Sequence, residues 1–159
     1  YEVIYPGFKY NMMDIQASLG IHQLKRIEKY HEIRKQIWDF YNEELKDLPI
    51  TLPSPAEPNT KHVFHLYTIL VDKKKSGISR DKFIQEMHAR GIGTGVHYNP
   101  VHLHKYYRDT YGYKPGDYPN AEYIGERTIS LPLSAKLTME EAKMVTDAIK
   151  DIISKHASI

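Results

Sequence analysis

The clearest hydrophobic period lies near the end of the chain, where Val145, Ala148, Ile149, Ile152 and Ile153 fall on one face of a helical projection. Thr138, with Glu141 three residues on, forms a capping box ahead of it, so a helix is predicted from there to about Lys155. A second long period, Ile33, Ile37, Phe40 or Tyr41, and Leu45, has lysine and glutamate on its other face. It predicts a helix over residues 26–45, ended by Pro49. Ahead of it Asn11 reads as an N-cap for a helix from about Met12, with Asp14 in the first turn where negative charge meets the dipole favourably. Gly20 is expected to bend or break that element into a short helix and a longer one.

Residues 61–71, KHVFHLYTILV, are dense in β-branched and aromatic side chains and predict a strand. Ser79 caps a predicted helix to residue 90, with Phe83, Ile84 and Met87 inward and Gly91 as its C-cap. Residues 93–98 then return as a strand. Strand, helix and strand on this scale predict an α/β (α+β) fold, a small sheet packed against helices. Further on, residues 105–111 form a helical turn, Pro119 opens a helix over residues 120–128, and residues 129–133 are a short extended piece. Three prolines make residues 52–60 an irregular loop.

At 159 residues the chain suits one core. Lysine and arginine number 22 against 20 acidic residues, with the basic residues spread out, which argues against a nucleic-acid partner. The absence of cysteine excludes disulfides, thiolate zinc sites and cysteine nucleophiles. No apolar run approaches membrane-spanning length and no basic, apolar leader opens the chain, so a soluble, cytoplasmic protein is expected. The start at Tyr1 reads as a processed or truncated chain.

Candidate chemistry concentrates in residues 91–104, GIGTGVHYNPVHLH. Gly93 and Gly95 let a backbone or ligand come close, Pro100 stops the strand, and His97, His102 and His104 supply groups that donate or accept near neutral pH. The segment reads either as a binding wall for a polar or anionic ligand or as an edge strand and turn with solvated histidines. Lys9 and Asn11, just before a helix start, suit either a phosphate or an ordinary cap beside a surface lysine. Lys73-Lys74-Lys75 is read as a charged turn. Tyrosines dense around the histidines can stack on a sugar or base, or simply pack. His62 and His65, three apart on a strand, point to opposite faces, so no metal site is expected. No GxSxG elbow supports a serine nucleophile.

The segments GFKYNMMDIQASLGIHQLKRI, HLYTILV, RGIGTGVHYNPVHLHKYY, GDYPNAE and ISLPLSAKLT, in this order and spacing, resemble the C-terminal part of the DegT/DnrJ/EryC1/StrS family of pyridoxal-phosphate (PLP)-dependent sugar aminotransferases. The resemblance implies the small C-terminal domain of the aspartate-aminotransferase type (fold type I). Residues 1–48 would be the junction segment and helices and residues 49–159 the small domain, with the PLP-binding large domain and its Schiff-base lysine absent. No catalytic residue is therefore expected in this chain, which alone would not transaminate. Lys9 and Asn11 would reach the PLP phosphate of a neighbouring subunit in a homodimer; many members carry Asn and then Arg or Lys in that motif, whereas here the lysine comes first. His97, Tyr98, His102 and, more remotely, His65 would contact the substrate. Pro119, Glu122 and Pro132 would fix the loop behind the pocket.

The full-length reaction so implied is ping-pong transamination of a nucleotide-linked ketosugar, with glutamate as the amino donor. Two other readings stand beside it. One is a sugar dehydratase of the same fold and cofactor with histidine at the Schiff-base position. The other is a non-catalytic regulatory or nucleotide-sugar-binding protein.

Overall fold

The computed structural model describes residue 2 and residues 4–156; residues 1 and 159, the outer ends of the expected division, lie outside the described residues. The capping box at Thr138 forms as its spacing predicts. The Glu141 N–H donates to Thr138 Oγ1 at 3.1 Å and the Thr138 N–H to Glu141 Oε2 at 2.8 Å, and helix α7 follows over Met139–His156. Its whole predicted apolar face is buried, joined by Ala142 and Thr146. Each large aliphatic side chain so buried contributes about 1.5–3 kcal/mol.

Helix α1 spans Asp14–Leu24 and α2 spans Ile27–Leu45. Two expectations are corrected here. Asn11 is not the cap of α1, because the chain stays extended to Met13, whose N–H donates to Gln16 Oε1 at 3.1 Å. Nor does Gly20 break the helix; its propensity cost of about 1 kcal/mol is too small to interrupt α1, and the break falls between α1 and α2. In α2 Ile37, Tyr41 and Leu45 are buried as expected, together with Trp38, which packs edge-on to Tyr67 at 4.7 Å.

The sheet departs most from expectation. Strand β1 covers only Tyr67–Leu70, since Phe64 at φ 48° cannot continue a strand. Its partner is β2, Thr128–Leu131, antiparallel, with Tyr67 opposite Leu131 and Thr68 opposite Ser130. Residues 93–98 are not a strand; Gly95 makes a single bridge to Ser130 on the far side of β2, as Thr51 does to Leu70 on the far side of β1.

Lys73–Ser76, expected as a turn, is a one-turn helix α3 whose cap, Asp72 Oδ1, accepts from the Lys74 N–H at 2.8 Å. Helix α4, Arg80–Ala89, begins at Ser79 as predicted. It closes with Gly91 at φ 76°, which lets the Gly91 and Ile92 N–H groups bond back to His88 and Met87. Helices α5, Lys105–Tyr111, and α6, Pro119–Gly125 with proline in its first turn, complete the chain order.

Core residues come from α2, β1, α4, β2 and α7, and α7 packs on both α2 and α4. In contrast α1 buries no residue, and the arm before it leaves Ile4 91% and Phe8 85% exposed. Among the described residues no helix is long and apolar enough to cross a membrane.

Candidate functional site

Strand β2 alternates between two environments. Ile129 and Leu131 enter the core, while Thr128 and Ser130 fall on the opposite face by the two-residue period of a strand. The 95–98 segment runs along the edge of β2 away from β1, tied there by the Gly95–Ser130 bridge, whose two backbone hydrogen bonds are 2.8 and 3.1 Å.

His97 is thereby carried onto β2, where its Nδ1 and Ser130 Oγ share a hydrogen bond of 2.7 Å. Thr128 Oγ1 donates to the His97 carbonyl at 3.5 Å. The imidazole lies over Gly95, where a Cβ would meet its Cε1 at 2.8 Å, so Gly95 makes room for this chain's own histidine. Tyr98, on the next residue, stands 72% exposed with its ring edge-on to His97 at 4.8 Å. Together they present a ring nitrogen and a phenol on one half-open surface. Beside them Thr94 Oγ1 is buried without a hydrogen-bond partner among the described residues.

His102 does not stand there with them. It is 6% exposed, and its Nε2–H donates to Glu122 Oε1 at 2.9 Å. The same carboxylate oxygen accepts the Gly116 N–H at 2.8 Å. The hydrogen bond from His102, then that from Gly116, holds the Glu122 carboxyl below its usual range. Tyr118 packs on the imidazole at 4.9 Å. This pair, with the Gly116 N–H, ties the 100–104 turn to α6 and the loop before it, and Pro100 sits against Gly125 on α6, where a Cβ would be 2.5 Å from the proline ring. A groove of about 290 Å³ runs along this joint, bordered by Arg80, Asn99, His104, Glu122 and Glu126.

His65 is exposed in a different recess, lined also by Arg34, Leu66, Leu133 and Ser134. Lys9 and Asn11 lie in the exposed arm, joined by no hydrogen bond or ion pair to another described residue. Of the residues expected to contact cofactor or substrate, the structure thus brings His97 and Tyr98 together, while His102 is joined instead to Glu122, a residue expected behind the pocket. Among the described residues no group of three or more histidines or carboxylates is placed to hold a metal. Ser130 and Thr128, which build the seat of His97, are not singled out by the sequence: Ser130 lies within the ISLPLSAKLT motif, and Thr128 at the end of a predicted helix that stops instead at Gly125, leaving Thr128 to open β2.

The family model for the DegT/DnrJ/EryC1/StrS aminotransferases matches residues 1–150. The protein MJ1066 of Methanocaldococcus jannaschii is 47% identical over 156 residues, covering 98% of this chain and 40% of its own length. The spore coat polysaccharide biosynthesis protein SpsC of Bacillus subtilis is 40% identical over 154 residues, covering 96% and 40%. Among solved structures, the apo form of Spr1654 from Streptococcus pneumoniae, assigned as a sugar aminotransferase, superposes with a TM-score of 0.85 at 33% identity over 99% of this chain and 39% of its own. The same protein is solved in forms with PLP and with pyridoxamine phosphate. This chain therefore spans about 40% of the length of the curated relatives it matches.

Proposed function

Because the chain belongs to the DegT/DnrJ/EryC1/StrS aminotransferase family, we propose that residues 49–159 are the small C-terminal domain of a PLP-dependent aminotransferase and residues 1–48 the junction leading into it. The whole protein would aminate a nucleotide-linked ketosugar with glutamate as donor, as a cytoplasmic homodimer. This chain alone would not transaminate. The observation that carries the reading is the family match over residues 1–150. The polysaccharide role of the Bacillus relative and the sugar-aminotransferase assignment of the streptococcal one support a sugar substrate. The uncovered apolar arm and α1 support a large covering surface, since apolar patches of this extent mark interfaces.

When bound, PLP supplies the electron sink for moving the amino group. The residues of this chain have narrower tasks. Lys9 and Asn11 fit a phosphate: an ammonium point charge and an amide donor, both exposed and unpartnered among the described residues, would hold the phosphate of the neighbouring subunit's cofactor. His97 and Tyr98 would meet the sugar or its diphosphate. His102 would brace the loop behind them through Glu122. His65, in its recess with Arg34, would meet an anionic outer part of the substrate.

Two measurements test this. The chain, mixed with PLP, reduced with borohydride and weighed intact, is expected to keep its own mass; a stoichiometric pyridoxyl lysine overturns the reading. In the complete enzyme, His97→Gln should raise KM for the nucleotide sugar about tenfold, the equivalent of one hydrogen bond to a charged group. An unchanged KM removes His97 from the site.

A further inference from the structure

We infer that Ser130 is a positioning residue that holds His97 in the Nε2–H tautomer, so that the ring presents a hydrogen-bond donor to an oxygen of the bound ligand, such as a diphosphate or sugar carbonyl oxygen. The ligand half of this inference rests on the reading of His97 as a substrate contact; the tautomer half does not.

The argument is one of hydrogen-bond accounting on a buried face. Ser130 is 5% exposed, and its hydroxyl carries a single proton that needs an acceptor. The partner that the described residues offer it is His97 Nδ1, at 2.7 Å. Thr128 Oγ1 is aimed instead at the His97 carbonyl. If Nδ1 carried the ring proton it would donate to Ser130 Oγ, and the serine proton would be stranded in the sheet face. Placing the proton on Nε2 satisfies Ser130 and Nδ1 at once: Ser130 O–H donates to Nδ1, and Nε2–H, which has no hydrogen-bond partner among the described residues, is left for a ligand. Gly95, paired with Ser130, leaves the ring its place, since a Cβ there would stand 2.8 Å from Cε1 and 3.3 Å from Nδ1. His102 shows the opposite use of the same side chain five residues on, its Nε2–H committed to the Glu122 carboxylate and unavailable to a ligand.

The test is a two-dimensional nitrogen–carbon-bound-proton NMR spectrum of the chain with ¹⁵N-labelled histidine. Of the nine histidines, His97 is identified as the signal lost in His97→Gln. Nδ1 is expected at the shift of an unprotonated ring nitrogen and Nε2 at that of a protonated one. Free imidazole already leans toward Nε2–H, so the variants carry the comparison. Ser130→Ala should lower the ratio of Nε2–H to Nδ1–H about tenfold, one buried hydrogen bond's worth, and Ser130→Thr should restore it. A wild-type His97 with the proton on Nδ1, or a ratio unmoved in Ser130→Ala, overturns the inference, and the first of these needs only the wild-type chain and the His97→Gln reference that assigns its signal. The spectrum is recorded without ligand, so its failure is separate from an unchanged KM in His97→Gln.

Discussion

Adding one methyl group at Gly95 isolates the seat of His97 from the rest of the fold. Gly93 and Gly95 sit two residues apart with ordinary φ, so alanine strains the backbone at neither. At Gly93 the new Cβ meets nothing within 4 Å; at Gly95 it would stand 2.8 Å from His97 Cε1 and 3.3 Å from Nδ1. The ring must move, and Ser130, which is buried, loses its partner. An unsatisfied buried hydroxyl costs about 1–3 kcal/mol. For a chain of this size each kcal/mol lowers Tm by roughly 2–4 °C, so Gly95→Ala should melt several degrees below the parent. Gly93→Ala should melt at or slightly above it, by the lowered entropy of its unfolded chain. Thermal melts by circular dichroism at neutral pH measure both. Equal Tm values for the two variants would refute the argument, because then the imidazole has room to shift without leaving Ser130.

Acid should destabilise the fold through a small set of carboxylates. Asp72, held chiefly by the Arg127 hydrogen bond, Glu86 by His156, Glu122 by His102 and Asp151 by Lys155 all have carboxyls held below their usual range. A lowered folded-state value means that the unfolded chain takes up protons first, so this stability is fully present above roughly pH 5, where the unfolded carboxyls are ionised, and is lost progressively as pH falls through the unfolded values and then the lower folded ones. Melts from neutral pH downward should show that limb, and Asp72→Asn, which leaves Arg127 without its closest carboxylate at 2.8 Å, should flatten it while lowering Tm at neutral pH. A limb of unchanged slope in that variant would exclude Asp72 as a contributor. Thr138→Ala removes the capping hydroxyl of α7 and should cost about 1 kcal/mol, read as a shift of the urea midpoint; a midpoint within error of the parent would show that the Glu141 carboxylate alone sustains the cap.

What the sequence determined by itself was the helical frame. The ends of α4 and the start of α7 rest on contacts between residues three apart, Ser79 with Lys82, Gly91 with His88, Thr138 with Glu141, so local chemistry decides them. The inward faces of α2 and α7 follow from periodicity for the same reason, and the family was legible because five motifs stand in order. The sheet was not legible, because β1 and β2 are separated by more than fifty residues, and pairing at that distance depends on which apolar faces the helices leave to be covered. The site divided along the same line. The histidines were visible as residue types, but whether each faces a ligand or the protein was set by distant partners, Ser130 for His97 and Glu122 for His102. A side chain's chemistry is local, whereas the proton it carries and the direction it offers that proton depend on what tertiary packing places beside it.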